Sequence, residues 1–328
     1  MANILQIGVL GCSSFAMRSM IPAIKSMPEQ FNLIAIASRT EEKSKVCANK
    51  MGIKQSFDTY DKLLNFDCLD AVYIPLPNSL HFEWVKKALK HGLHVLVEKS
   101  MACSYEEVKY LNELACSRDR VLVENFQFRF HKQLAVIQNM VSDGIIGELR
   151  CIRSSFGFPP FPDTGNIRYK KELGGGALLD AGVYTIKVSQ IFLGYDIEVS
   201  AANLWFDSDK DIDIWGGAFF KQKDGPIFSE VAFGFDNFYQ CNLELWGSKG
   251  KITANRIFTS PPGVQAEVEI KTNDGKETIM VEPENHFKKI LEHFFDLMIG
   301  NEKLDEEYVQ NINQARLIRE LKEKATEE

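Results

Sequence analysis

The order in which hydrophobic patterns change along the 328 residues predicts an α/β fold in two parts: a doubly wound parallel sheet over 1–123, then an α+β part with a large, mainly antiparallel sheet over 124–328. Three observations carry this. Up to about residue 123, short apolar runs alternate with helical patterns across short joints, the rhythm of a parallel sheet covered on both faces. From Glu148 onward, alternating strands joined by turns replace that rhythm. The chain is also too long for one simple core, so two domains are expected.

In the first part, apolar runs predict strands at 5–10, 33–37, 71–74, 95–97 and 121–123, with a weaker one at 55–57. The helices between them carry end signals. Thr40 precedes two acids and Gly52 closes that helix; Gly92 closes another over 81–91; Ser104-Tyr105-Glu106-Glu107 is a capping box. In the second part a helix is expected over 131–142. Strands follow at 149–156, 197–206, 217–221, 227–235, 239–246, 252–254, 266–271 and 278–281, with polar helices at 285–299 and 305–324. The sheet's outer face would be rich in Phe and Trp, which suits burial against a second subunit as a homodimer or homotetramer.

Composition narrows the function. Apolar residues at 45% and charged residues at 25% are ordinary for a globular protein, and a net charge of −7 provides no basic field for a nucleic-acid backbone. No apolar run reaches transmembrane length, so no membrane partner is expected. Met1-Ala2-Asn3-Ile4-Leu5 enters a strand with no basic segment and long apolar run ahead of it, so no export signal is expected. The seven cysteines lack CxxC spacing and the six histidines lack HxxxH or HExxH pairs, which fits a cytoplasmic protein with reduced thiols and no metal.

Five stretches carry chemistry. The first turn, Gly8-Val9-Leu10-Gly11-Cys12-Ser13-Ser14-Phe15-Ala16, follows a strand and opens a helix, the setting of a dinucleotide-binding fingerprint. Gly11 and Ala16 fit GxGxxG/A, while Ser13 stands where the second glycine is usual. The second strand ends Ala37-Ser38-Arg39-Thr40 with no acid for a ribose hydroxyl; Ser38 and Arg39 suit the 2′-phosphate of NADP. Pro75-Leu76-Pro77-Asn78 is a stiff turn that either lines a nicotinamide pocket, with Asn78 and His81 giving hydrogen bonds, or is a helix start capped by Asn78. A buried strand then ends in Glu98-Lys99, at the sheet edge where ligands bind in such folds.

The fifth stretch lies in the second part. A helix after Gly174-Gly175-Gly176 spaces Asp180, Tyr184 and Lys187 at i, i+4 and i+7, so all three are expected on one face.

Together these motifs resemble the Gfo/Idh/MocA oxidoreductases, which pair an N-terminal Rossmann domain with a C-terminal sheet domain. The resemblance rests on Gly8 to Ala16, on Pro77-Asn78 with His81, on Glu98-Lys99 in place of Glu-Lys-Pro, and on Gly174 to Tyr184 in place of a glycine-rich Asp-x-x-x-His/Tyr helix. Within the family the chain is similar to NADP-dependent nucleotide-sugar 3-ketoreductases in Phe156-Gly157-Phe158-Pro159-Pro160-Phe161-Pro162-Asp163-Thr164, in Ile167-Arg168-Tyr169 and in Glu244-Leu245-Trp246-Gly247-Ser248.

The resemblance implies an NADP(H) enzyme that moves a hydride between nicotinamide and a sugar carbonyl or hydroxyl, with a nucleotide-linked deoxysugar as substrate. It implies cofactor contacts from Gly8, Gly11, Cys12, Ser13, Ser14, Phe15, Ser38, Arg39, Pro75, Leu76, Pro77, Asn78, His81, Glu98, Lys99, Asn125 and Arg168. Lys99, Tyr184 and Asp180 are the expected catalytic residues. Either Tyr184 gives the proton while Lys99 stabilises the oxyanion, or Lys99 is itself the donor; Asp180 orients Lys99 or binds a sugar hydroxyl. The alternatives are a pyranose or trans-dihydrodiol dehydrogenase that uses NADP, and an NADP-binding regulator without catalysis. Retention of both Lys99 and Tyr184 argues against the regulator.

Overall fold

Apolar runs too short for helices become the strands of the first sheet in a computed structural model that describes residues 4–163 and 165–325. Met1-Ala2-Asn3 and Thr164 of the motifs above lie outside the described residues. The first elements in chain order are β1 (Leu5–Leu10), α1 (Ile21–Lys25), β2 (Phe31–Ala37), α2 (Glu41–Met51), β3 (Gln55–Phe57) and α3 (Tyr60–Leu64). Then come β4 (Ala71–Ile74), α4 (Asn78–Lys90), β5 (His94–Glu98), α5 (Tyr105–Ser117) and β6 (Leu122–Asn125). The strands are parallel in the order β3-β2-β1-β4-β5-β6. The order reverses between β1 and β4, which opens a crevice at their carboxyl ends. Every residue of β4 is buried, as are Val95, Leu96 and Val97 of β5, because helices cover both sheet faces.

Local chemistry sets the helix ends. Thr40 Oγ1 accepts from the Lys43 N–H at 3.4 Å at the head of α2, and Ser104 Oγ accepts from the Glu107 N–H at 3.2 Å at the head of α5. Glu107 completes the box one residue early, on the Cys103 N–H at 3.1 Å. Asn78 is not a cap: Pro77 holds that position and Asn78 is the first residue of α4.

The second sheet is built from α6 (Lys132–Ser142), β7 (Leu149–Gly157), α7 (Val183–Leu193), β8 (Ile197–Asp207), β9 (Ile212–Gln222), β10 (Phe228–Gly234), β11 (Gln240–Gly247), β12 (Gly250–Asn255), β13 (Ala266–Thr272) and β14 (Gly275–Val281). The eight strands run in the order β14-β13-β12-β11-β7-β10-β9-β8, with β7 and β10 as the one parallel pair in an otherwise antiparallel sheet. Helix α7 covers one face, where Ser189 and Ser229 share a hydrogen bond of 2.8 Å. The other face carries the expected aromatics: Trp205, Trp215 and Trp246 are 57%, 39% and 50% exposed, and Trp205 stacks on Trp215.

The chain ends in α8 (His286–Met298) and α9 (Asp305–Ala325). Residues 1–126 and 287–312 form one compact unit, and 127–286 with the segment from Asn313 form the other. The expectation that both terminal helices belong wholly to the second part is corrected here. Phe287 packs edge-on against Phe15 and Phe295 against Phe31, and Tyr308 Oη donates to the Arg120 carbonyl at 2.7 Å. These contacts give α8 a place on the first sheet's helical layer. Among the described residues, no helix is long and apolar enough to cross a membrane.

Candidate active site

Each unit carries its own cluster of chemistry-bearing residues. In the first, β1 ends at Gly11, whose φ of +126° is a conformation L side chains rarely adopt. A Cβ there would come within 2.8 Å of Leu76, so the glycine also lets the two turns approach. Ser13 in place of a glycine serves the loop differently: its Oγ accepts from the Ala16 N–H at 3.1 Å and satisfies one of the orphan donors of the helix start. The helix opens with a π turn, Ala16–Met20, ahead of α1. Gly8 lies inside β1 instead, where a side chain would press on Leu63 and Leu69 at 3.1–3.2 Å. It serves as a packing glycine.

Beside this turn, Cys12 Sγ rests against the Ala37 carbonyl, and burial pushes the thiol up to about 12, so it stays neutral. Ser38 is buried at the end of β2 and Arg39 is exposed. Lys43 makes itself felt at Cys12 electrostatically, so two cations border the carboxyl end of β2.

At the next edge, Glu98 Oε1 accepts from Tyr73 Oη at 2.6 Å and from Asn125 Nδ2 at 2.5 Å. Burial raises the Glu98 pKa above the ordinary carboxylate range, while these donors and Lys99 oppose the shift. The Lys99–Ser100 peptide bond is cis. Ser100 stands where the family has proline, and side chains hold this turn. Asn78 Oδ1 accepts from the Ser100 N–H at 3.3 Å, His81 Nδ1 lies 2.6 Å from the Ser100 carbonyl, and Glu124 Oε1 accepts from the Met101 N–H at 2.8 Å.

His81 is fully buried, with its other ring nitrogen 2.8 Å from the Leu76 carbonyl. It staples the Pro75-Leu76-Pro77 turn to the Lys99 turn. Its expected hydrogen bond to a cofactor is therefore corrected to a positioning role. Burial lowers its pKa to about 4 although both carbonyls favour the charged ring; the neutral imidazole has one N–H and donates to one carbonyl at a time.

These residues fit a dinucleotide. The buried Asn125 Oδ1 has no hydrogen-bond partner among the described residues. An acceptor in that state suits an amide N–H donor such as a carboxamide.

The second unit's cluster is built on the glycine segment. A Cβ on Gly175 would sit 2.4 Å from the Arg168 carbonyl, and the Gly176 N–H donates to that carbonyl at 3.0 Å. The helix then starts as a π turn, Leu178–Gly182, before α7. Asp180 lies in the π turn and Tyr184 in α7, so the expected i, i+4 relation of a plain α-helix is widened at this point. Lys187 is 2% exposed, so this stripe is not simply the helix's wet side.

Arg168, expected at a cofactor, here pairs with Asp180: Nε to Oδ2 is 2.6 Å, and the guanidinium stacks 4.8 Å from the Phe161 ring centroid. The Asp180 charge raises its pKa further, and the Tyr184 phenol lies within its electrostatic reach. Tyr184 is buried, its ring packed against Phe128, Phe156 and Phe258. The proline-rich loop is tethered here as well, since the Phe161 N–H donates to Tyr169 Oη at 3.0 Å and Phe158 packs against Phe161 and Phe235. Sequence reasoning missed Tyr73 and Asp213. Both sit within strands, and their partners are remote in sequence.

The arrangement offers an ammonium at the carboxyl edge of one sheet, and a phenol with an arginine-paired carboxylate on a helix of the other unit. Comparison with known proteins agrees with this chemistry. The GFO/IDH/MocA oxidoreductase model with an NAD-binding Rossmann fold matches residues 5–126, and the GFO/IDH/MocA C-terminal domain model matches 134–253. A dTDP-3,4-didehydro-2,6-dideoxy-α-D-glucose 3-reductase from Actinomadura kijaniata is 36% identical over 317 residues, covering 97% of this chain and 94% of that one. A D-xylose 1-dehydrogenase (NADP+) from Haloferax volcanii is 30% identical over 287 residues, 88% of this chain and 87% of that one. The crystal structure of a 3-ketoreductase from Actinomadura kijaniata with NADP and TDP-benzene superposes with a TM-score of 0.94 at 35% identity, covering 98% of each chain.

Proposed function

The chain belongs to the GFO/IDH/MocA oxidoreductase family, and on that premise we propose that it is an NADP-dependent reductase of a 3-keto group on a nucleotide-linked deoxysugar. The observation that carries the reading is the joint presence of Lys99 after β5 and of Asp180 and Tyr184 on the glycine-rich helix, in a chain aligned along 97% of its length with a dTDP-sugar 3-reductase.

Bound NADPH supplies the hydride. The remaining work is done by the chain's own residues. Negative charge grows on the carbonyl oxygen as the hydride arrives, and needs a proton and a fixed positive field. Tyr184 Oη gives that proton, and the Lys99 ammonium stabilises the oxygen. Asp180 holds Arg168 and so fixes a cation within reach of the phenol. Gly11, Ser13, Ser14, Phe15, Arg39, Asn78, Glu98 and Asn125 bind and orient the dinucleotide, with Arg39 on the 2′-phosphate. The enzyme works in the cytoplasm, a reading supported by its seven free cysteines, and assembles through the aromatic face of the second sheet.

Lys99→Met and Tyr184→Phe are each expected to cut turnover at least about 100-fold with NADPH binding nearly intact. A Lys99→Met protein with normal turnover overturns the mechanism. Thermal-shift titration with NADPH plus dTDP, UDP, GDP or free sugars tests the substrate class. Stabilisation by free xylose and not by a nucleoside diphosphate would favour pyranose oxidation, the reading supported by the xylose dehydrogenase relative.

A further inference from the structure

What fixes the helix that carries Asp180 and Tyr184 lies outside its own sequence. The first N–H groups of a helix have no partner within it, and here the preceding residues are glycines with no side chain to cap them. The Leu178 N–H instead donates to Asp213 Oδ2 at 2.5 Å, and the Ala177 N–H is also directed to the Asp213 carboxylate. Asp213 is the second residue of β9, 35 residues further along the chain.

A bulge aims this carboxylate. Residues 213 and 215 of a regular strand share a face, and Trp215 lies on the outer, solvent-exposed face with its partner Trp205. The pairing of β9 with β8 is irregular at this point: Trp205 faces Trp215, and Phe206 faces Asp213, so Ile214 is the extra residue. One extra residue turns Asp213 onto the opposite face, where Gly216, Ala218 and Phe220 pair with Phe233, Val231 and Ser229 beneath the helix. The Gly176 backbone completes the fit. A Cβ there would lie 2.2 Å from Asp213 Oδ1, so only glycine admits the carboxylate.

We infer that Asp213 is a positioning residue of the reductase, capping the glycine-rich helix from the neighbouring strand so that Asp180 and Tyr184 are held at a fixed height along the helix axis. It touches neither substrate nor cofactor in this role. Two amides on one carboxylate fix both the axial position and the rotation of the π turn, and a negative charge suits the positive end of the helix dipole. The inference rests on the reductase reading for its kinetic consequence and on the structure alone for its mechanical one.

The test uses the full-length protein and two variants. Asp213→Ala is expected to lower kcat about 100-fold, the scale of a misplacement near 1 Å, with the dissociation constant of NADPH unchanged within about twofold. Asp213→Asn keeps one acceptor for Leu178 and is expected to recover most of that loss, which general damage to the fold would not allow. Amide hydrogen exchange, read without any turnover, is expected to speed up in Asp213→Ala over residues 174–187 and to stay at wild-type rates in the strands of the first unit.

Wild-type exchange over 174–187 in Asp213→Ala overturns the capping role. So does undiminished turnover of that variant when the wild type is active. A wild-type protein that reduces no nucleotide-linked keto sugar overturns the reductase reading and leaves the exchange result to decide the cap.

Discussion

Replacing Gly176 by alanine tests the geometry on which the second unit's cluster depends. Gly176 has φ of +109°, and its absent side chain faces Asp213, with Oδ1 at 2.2 Å and Cγ at 3.1 Å from an ideal Cβ. Holding an L-residue in such a conformation costs on the order of 1–3 kcal/mol. The methyl group also displaces the carboxylate from the Leu178 N–H, and a hydrogen bond to a charged group contributes about 1.5–3 kcal/mol. The combined loss of about 2.5–6 kcal/mol is a large part of the ~5–15 kcal/mol that stabilises a typical fold. It corresponds to a fall in melting temperature of roughly 5–20 °C for a unit of this size. Gly144→Ala is the control, since Gly144 has φ of +72° with nothing within 4 Å of the added Cβ, so only a conformational cost of about 1–2 kcal/mol applies. Thermal unfolding by circular dichroism, with turnover of the refolded samples, reads both variants. If Gly176→Ala melts within about 2 °C of Gly144→Ala and turns over normally, the close fit of Gly176 to Asp213 has no energetic weight and the argument fails.

Other consequences concern the cofactor, pH and assembly. Arg39→Asp should weaken NADPH far more than NADH, because it replaces the guanidinium offered to the 2′-phosphate by a like charge; equal effects on both would refute that assignment. Burial lowers the pKa of His81 and His94 to about 4 and of His286 to about 3, below the ordinary value near 6.5. The unfolded chain therefore takes up protons that the native state refuses. Stability is full above about pH 6.5 and declines toward pH 4 by up to ~1.4 kcal/mol per pH unit for each histidine. Urea midpoints across that range check the sign, and His286→Phe should make the slope shallower by about one proton. Trp205→Glu, on the outer face of the second sheet, should shift the sedimentation coefficient toward the monomer; an unchanged value would move the interface elsewhere.

Local chemistry was legible in the sequence. Strands at 5–10, 55–57 and 71–74 coincide with β1, β3 and β4, and Thr40 and Ser104 cap the helices they precede. Each signal acts within a few residues, through alternation, apolar runs or a side chain reaching a nearby amide. Lys99 at the end of β5, and Asp180 with Tyr184 after the three glycines, were legible for the same reason. Tertiary structure decided what depends on remote partners. Strands β7 and β10 pair in parallel because of how the sheet closes, and no turn between them could announce it. The packing role of Gly8 and the stapling role of His81 were not legible, since Leu63, Leu69 and the carbonyls of Leu76 and Ser100 reach them only in the folded chain. Asp213 became part of the candidate site through a single extra residue in β9 that turns it from the outer aromatic face to the helix. Sequence specifies which groups are available; strand register and close backbone approach, set by contacts distant along the chain, decide which of them meet.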